Sequence, residues 1–263
     1  MLDHLTILGK SISVYGLTAA VGMIAAVFYM KMMVRREMFR DLDRHLELAF
    51  AWALAGIALG SKLLYLVMEH SNIVKDIGSM GLEMAAYKYF TGGFVFYGGL
   101  LGCMVALYLY CKHLKVSFIH LLQLALPAFP LAHAIGRCGC FLVGCCYGRE
   151  TDTFFAVTYT HSHFAPNGVP LIPTQLIGAV CELLLFILLY RDSVRGQSGG
   201  AMLSKYLVAY GVGRFILEYF RGDDYRGFIG VLSVAQIISL ICIICGTIAY
   251  IWCVYRKKIG PKY

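Results

Sequence analysis

Long apolar runs separated by short polar connections organise this chain. Runs near 11–33, 47–68, 94–112, 118–140, 173–190, 202–220 and 230–254 each approach the roughly 20 mostly apolar residues that a membrane-spanning helix needs. Lipid supplies no hydrogen-bond partner to a peptide backbone, so such runs predict helices. The fifth run is short but apolar throughout (LIGAVCELLLFILLY). The pattern predicts an all-α integral membrane protein with seven transmembrane helices, forming a single polytopic domain over 1–263. Two connections are long, about 69–93 and 141–172. Long structured connections often carry function.

The distribution of basic residues sets the expected orientation. Lys31, Arg35, Arg36, Arg40 and Arg44 follow the first run, Lys112 and Lys115 the third, Arg191 and Arg195 the fifth. Arg256, Lys257, Lys258 and Lys262 follow the last. Seven spans put all of these on one side, and positive charge stays cytoplasmic. The N-terminus is therefore expected outside and the C-terminus in the cytoplasm, with both long connections on the outer face.

Composition agrees. The chain is 59% hydrophobic and 14% charged, against about 45–50% and about 25% for a soluble domain. A formal charge of +8 could suggest nucleic acid, but its placement in the connections fits a membrane topology instead, and no nucleic-acid partner is expected. Residues 1–10 lack the basic start of a cleavable signal, so the first run is expected to be retained. No lipidation motif is present.

Ionisable residues inside spans usually face the protein interior. Here they are Lys62, Arg137, Glu182, Arg214 and Glu218. Arg214 and Glu218 are four apart, so they share a helix face and can pair. They form either an internal ion pair or, with Arg137 from another span, a forked clamp for a phosphate. A double-arginine site open to the outer leaflet would bind an anionic lipid headgroup. His133 precedes Arg137 by one helical turn and is a candidate base or a core histidine. Lys62 and Glu182 are each open to a structural or a functional role.

Cys103, Cys111, Cys181, Cys242, Cys245 and Cys253 are scattered on apolar runs and read as small buried hydrophobes. Cys138, Cys140, Cys145 and Cys146 cluster in HAIGRCGCFLVGCCYGR (133–149). Their C-x-C-x4-C-C spacing does not match the C-x2–4-C pairs of structural zinc sites, even with His161 and His163 nearby, and no metal is assigned. A disulfide on an oxidising face and a reactive thiolate beside Arg137 remain open. No cofactor is expected.

Five segments bring a known family into view. VYGL (14–17), FVFYGGLLG (94–102), GRCGCFLVGCCYG (136–148), PTQL (173–176) with Glu182, and YGVGRFILEYFRGDD (210–224) resemble, in order, the motifs of the prolipoprotein diacylglyceryl transferases. The resemblance implies a multi-pass enzyme of the bacterial cytoplasmic (inner) membrane. That family moves a diacylglyceryl group from phosphatidylglycerol to the lipobox cysteine thiol of a preprolipoprotein. A thioether forms and glycerol phosphate leaves. It further implies catalytic roles for Arg137, Arg214 and Glu218, with Tyr97 and His133 as candidates to position or deprotonate the thiol. Tyr15, Gly98, Gly99, Gly136, Cys140 and Gln175 would contact substrate. The chain departs from the family pattern at several positions. Cys140 and Val143 stand where the signature has asparagine, Cys145 where it often has glutamate, and Tyr97 where histidine is common. Gly178 stands at a further acidic position. Two alternatives stay open: a related lipid or headgroup transferase with another acceptor, and a non-catalytic cysteine-rich protein that binds lipid, metal or a redox partner.

Overall fold

Helices occupy every one of the predicted apolar runs. The computed structural model describes residues 4–7, 10–223 and 227–259. Asp224, Arg226 and Lys262 lie outside the described residues, as do the side chains of Arg256, Lys257 and Lys258.

A hairpin of β1 (His4–Ile7) and β2 (Lys10–Ser13) leads into α1 (Val14–Met33). Ser13 caps that helix, its Oγ accepting from the Gly16 N–H at 3.4 Å. A 3-10 turn (Glu37–Leu42) precedes α2 (Asp43–Met68). Then come α3 (His70–Met80), α4 (Leu82–Thr91), α5 (Phe96–Leu114), α6 (Phe118–Ala125) and α7 (Ala128–Val143). The chain continues through β3 (Val157–Thr158), β4 (Pro170–Leu171), α8 (Thr174–Val194), α9 (Gly199–Tyr219), β5 (Phe228–Ile229), β6 (Leu232–Ser233) and α10 (Val234–Ile259).

Among the described residues, four helical stretches are long and apolar enough to cross a membrane: Val14–Met33, Glu37–Met68, Phe118–Val143 and Val234–Tyr255. α4 and α5 make a fifth if their 77° bend lies within one span. Large apolar side chains such as Ile24, Phe28, Leu59, Leu63, Ile248 and Ile251 are exposed on these helices, as lipid-facing residues must be. The protein is therefore an all-helical integral membrane protein. The connection at 69–93 is not a loop: it is the helical hairpin α3–α4, held by an Asp76–Lys88 ion pair at 2.7 Å and by the Tyr89 hydroxyl donating to Asp76 at 2.7 Å.

The chain divides into two compact units, Glu37–Leu121 and Met1–Arg36 with Leu122–Tyr263. In the first, α2 packs on α5 through glycines. A Cβ on Gly56 would stand 2.5 Å from the Gly102 carbonyl oxygen, and one on Gly98 would stand 2.6 Å from Leu64 Cβ. Only hydrogen fits, which is how helices without a hydrophobic driving force approach closely in lipid. Lys62 ends in the same unit. Its ammonium donates to the carbonyls of Tyr89 (3.0 Å), Gly92 and Gly93 (3.2 Å), closing the C-terminus of α4, and lies 4.6 Å from the Phe94 ring centre. A cation there complements the exposed carbonyls of a helix end. This settles Lys62 as structural.

In the second unit α1 packs on α7, α7 on α8, α8 on α9 and α9 on α10. Gln123 and Ser193 exchange two bonds: Gln123 Nε2 donates to the Ser193 carbonyl at 3.2 Å, and Ser193 Oγ donates to the Gln123 carbonyl at 3.0 Å.

Candidate active site

The second unit holds most of the polar chemistry, and three helices supply it. His133 and Arg137 lie one turn apart on α7. Gln175 and Glu182 lie on α8, and Arg214 and Glu218 on α9.

Glu218 is 2% exposed and organises the arginines. Its Oε2 lies 3.0 Å from Arg214 Nη2 and 3.7 Å from Arg221 Nη1. Arg221 is further fixed by Asp223, through Nε to Oδ1 at 2.8 Å and through Nη2 to Oδ2. Arg137 and Arg221 both act electrostatically on Arg214, so three guanidinium groups from two helices and a loop converge. Arg214 Nη1 is buried and has no hydrogen-bond partner among the described residues. An unsatisfied buried donor costs about 1–3 kcal/mol, more when charged. An arriving anion would remove that cost.

Arg137 lies against α8. Its Cδ and Nε both lie 3.7 Å from where a Cβ on Gly178 would stand. His133 Nδ1 sits 2.7 Å from Glu182 Oε1, and Glu182 is 4% exposed. The contact draws α7 against α8 without an aligned hydrogen bond at Nδ1, and proton transfer would fall to Nε2. A Cβ added to Gly136 would meet nothing within 4 Å, so this face of α7 is open.

Beyond α7 the chain turns sharply. Gly144 has φ +84°, the left-handed conformation that ends helices and favours glycine. The Thr174 hydroxyl then donates to the Cys146 carbonyl at 2.7 Å, and Gln175 Nε2 donates to the Cys145 carbonyl at 2.8 Å and to the Tyr159 hydroxyl at 3.2 Å. Gln175 is fully buried, and its Oε1 has no partner among the described residues. Tyr159 packs with Ala165 and Leu171 in a small core under this loop, and burial pushes its phenol up to about 12. Backbone bonds tie the loop to the end of α9: Arg149 N–H donates to the Phe220 carbonyl at 2.8 Å and Gly222 N–H to the Tyr147 carbonyl at 3.0 Å. That stitching brings Arg221 to the site.

Three of the four clustered cysteines meet. The sulfurs of Cys140, Cys145 and Cys146 all lie within 4.8 Å of one another. Cys138 is exposed and apart, and neither His161 nor His163 joins the group. All ten cysteines are free thiols. Hydrogen bonds from the Cys140 and Cys145 thiols hold Cys146 well below the usual thiol range, with Arg221 and Arg137 adding to the effect. Donation by Cys145, first through its bond with Cys140, pushes Cys145 up. Tyr15, in the first turn of α1, lies within electrostatic reach of Arg137 and of these three thiols.

Of the residues singled out in the sequence, Tyr15, His133, Gly136, Arg137, Cys140, Gln175, Arg214 and Glu218 thus fall in one unit. Tyr97, Gly98 and Gly99 lie on α5 in the other, where Gly98 lines the close contact with α2. Arg221 is not among the residues singled out in the sequence. Its signals were the spacing of three from Glu218 and the aspartate two residues on.

Comparison with known proteins agrees with the motifs. Residues 4–252 match the family model described as prolipoprotein diacylglyceryl transferase. A phosphatidylglycerol–prolipoprotein diacylglyceryl transferase of Clostridium tetani is 36% identical over 256 residues, 95% of this chain and 96% of that protein. Proteins with the same description from Clostridium perfringens (its second such enzyme) and Finegoldia magna are 32% and 30% identical, covering 93% and 97% of this chain and 92% and 95% of their own. The arginine-bearing helices are thus those of a lipid-transferase scaffold, and the chain belongs to the prolipoprotein diacylglyceryl transferase family.

Proposed function

We propose that this protein is a phosphatidylglycerol–prolipoprotein diacylglyceryl transferase that uses the arginine group of α7, α9 and the following loop as its headgroup site. Its substrates are phosphatidylglycerol and the cysteine thiol of a prolipoprotein. It works as one polytopic domain of the bacterial inner membrane. Its seven spans place the N-terminus outside and the C-terminus in the cytoplasm, so that the 141–172 connection and the cysteines lie on the outer face.

The buried, unpartnered Nη1 of Arg214 beside Arg137 and Arg221 carries this reading. The acceptor sulfur attacks the glycerol carbon that bears the phosphate. The carbon–oxygen bond breaks and glycerol phosphate departs with its electron pair. Charge grows on the leaving oxygen, and fixed cations stabilise that transition state more than the intact lipid. Thiolate is the nucleophile, so the thiol proton must leave. His133, held by Glu182 at 2.7 Å, receives it. Tyr15 and Gln175 frame the headgroup, the open face at Gly136 admits the lipid, and Cys140 lines the rim.

The test is incubation of purified protein with phosphatidylglycerol and a lipobox peptide. Mass spectrometry should find a diacylglyceryl adduct on the peptide cysteine. Release of glycerol phosphate without that adduct would instead indicate a different acceptor, and neither product would overturn the assignment.

A further inference from the structure

Cys140, Cys145 and Cys146 come together by construction rather than by chance crowding. Cys140 occupies the last turn of α7. Gly144, at φ +84°, folds the chain back, so that Cys145 and Cys146 return toward that turn. Both of their carbonyls are held by side chains from the start of α8, Thr174 at 2.7 Å and Gln175 at 2.8 Å. Cys146 itself adopts φ +57°, one of two non-glycine residues with positive φ among those described. A residue with a side chain is disfavoured in that conformation by about 1–2 kcal/mol, so the surrounding bonds impose it. The imposed conformation brings the third sulfur to the other two.

The dimensions suit a soft cation. With metal–sulfur bonds of about 2.3 Å, thiolates around one zinc-like ion stand about 3.8–4.0 Å apart. The three sulfurs, all within 4.8 Å, need to close by less than about 1 Å. Soft thiolates select zinc-class and copper(I)-class ions over hard cations. Arg137 and Arg221 stand near enough to act on the cluster, and their charge offsets that of bound thiolates. The linear spacing gave no hint of this, because the grouping omits Cys138 and depends on the left-handed turn.

We propose that Cys140, Cys145 and Cys146 form a three-thiolate site for a thiophilic d10 cation of the zinc or cadmium type. On binding, the protons still carried by the Cys140 and Cys145 thiols pass to solvent, Cys146 binds as the thiolate it already is, and three sulfur–metal bonds form. No electron is transferred, and a divalent ion leaves the cluster with one net negative charge. Three protein ligands leave a tetrahedral ion one open position.

Cadmium alone is the probe, because its thiolate complexes absorb in the ultraviolet. Reduced, chelator-stripped protein should develop this absorption to saturation at one equivalent, with release of protons. Cys138→Ser and Cys181→Ser should retain the signal, and the Cys145→Ser/Cys146→Ser double variant should lose it. Absence of the signal from the unsubstituted protein, or its retention in the double variant, overturns the proposal. Should the double variant fail to fold by circular dichroism, alkylation mapping of the unsubstituted protein decides instead. Cadmium should shield Cys145 and Cys146 from iodoacetamide while Cys138 stays reactive; equal labelling with and without cadmium overturns the site. No readout uses transfer activity, so failure of the transferase assignment and failure of the metal site are told apart.

Discussion

The α2–α5 pair and the α7–α8–α9 group both bury polar groups within a lipid-facing protein, and they treat them in opposite ways. In α2–α5, Lys62 donates to three carbonyls, and Ser61 Oγ donates to the Ile57 carbonyl at 2.6 Å. Glycines bring the helices together. In α7–α8–α9, Arg214 Nη1, Gln175 Oε1 and Glu182 Oε2 are buried without partners among the described residues. An unsatisfied polar group is costly in any apolar interior, and lipid offers no water to relieve it. A region that satisfies its own polar groups is a scaffold. A region that concentrates unsatisfied ones awaits a partner from outside.

The largest expected effects test the second half of that contrast. Arg137→Ala and Arg214→Ala should each lower transfer by about 10²–10³-fold, with unchanged amounts of protein in the membrane fraction. Near-normal rates would remove the clamp from the mechanism and dissolve the contrast. His133→Gln should cost about 10² or more in rate, the usual scale for a general base. Glu182→Gln should cost less and shift the pH–rate profile, because it positions His133 rather than touching substrate; an unchanged profile would make the pair structural. In the scaffold the effects should fall on stability instead. Gly60→Ala would press a Cβ to 2.8 Å from Gly102 Cα and should destabilise by about 1–3 kcal/mol, as overpacking does. Lys62→Met leaves carbonyls unsatisfied and should cost about 1–3 kcal/mol. Thermal unfolding would measure both, with rate per folded molecule preserved. The smallest effect belongs to Cys138→Ser, exposed and outside the thiol group, which should leave stability within about 0.5 kcal/mol.

Much of this was legible in the residues. Helices have a local signature, so the apolar runs marked α1, α2, α5 and α7 to α10 directly. The four-residue spacing of Arg214 and Glu218 foretold their ion pair, because one helix carries both. Contacts that depend on the path of an irregular chain were not legible. Arg221 reaches the site only because backbone bonds join 147–149 to 220–222. Cys138 and Cys140 are only two apart, yet a helix turns about 200° over that interval and separates them. Within the 69–93 connection, polar residues mask the amphipathic helices α3 and α4. Lys62 read equally as headgroup ligand or anchor, since nothing local reveals that α4 ends against it.

Gly178 has so far served only as the surface against which Arg137 lies. Its bare Cα also sets the site's ionic balance. An acidic side chain at this place would rest against the guanidinium and cancel it; hydrogen leaves the cation whole. The site's appetite for anions is therefore set in part at a position that contributes no atom to binding them, and Gly178→Glu would lower it by placing a carboxylate against Arg137.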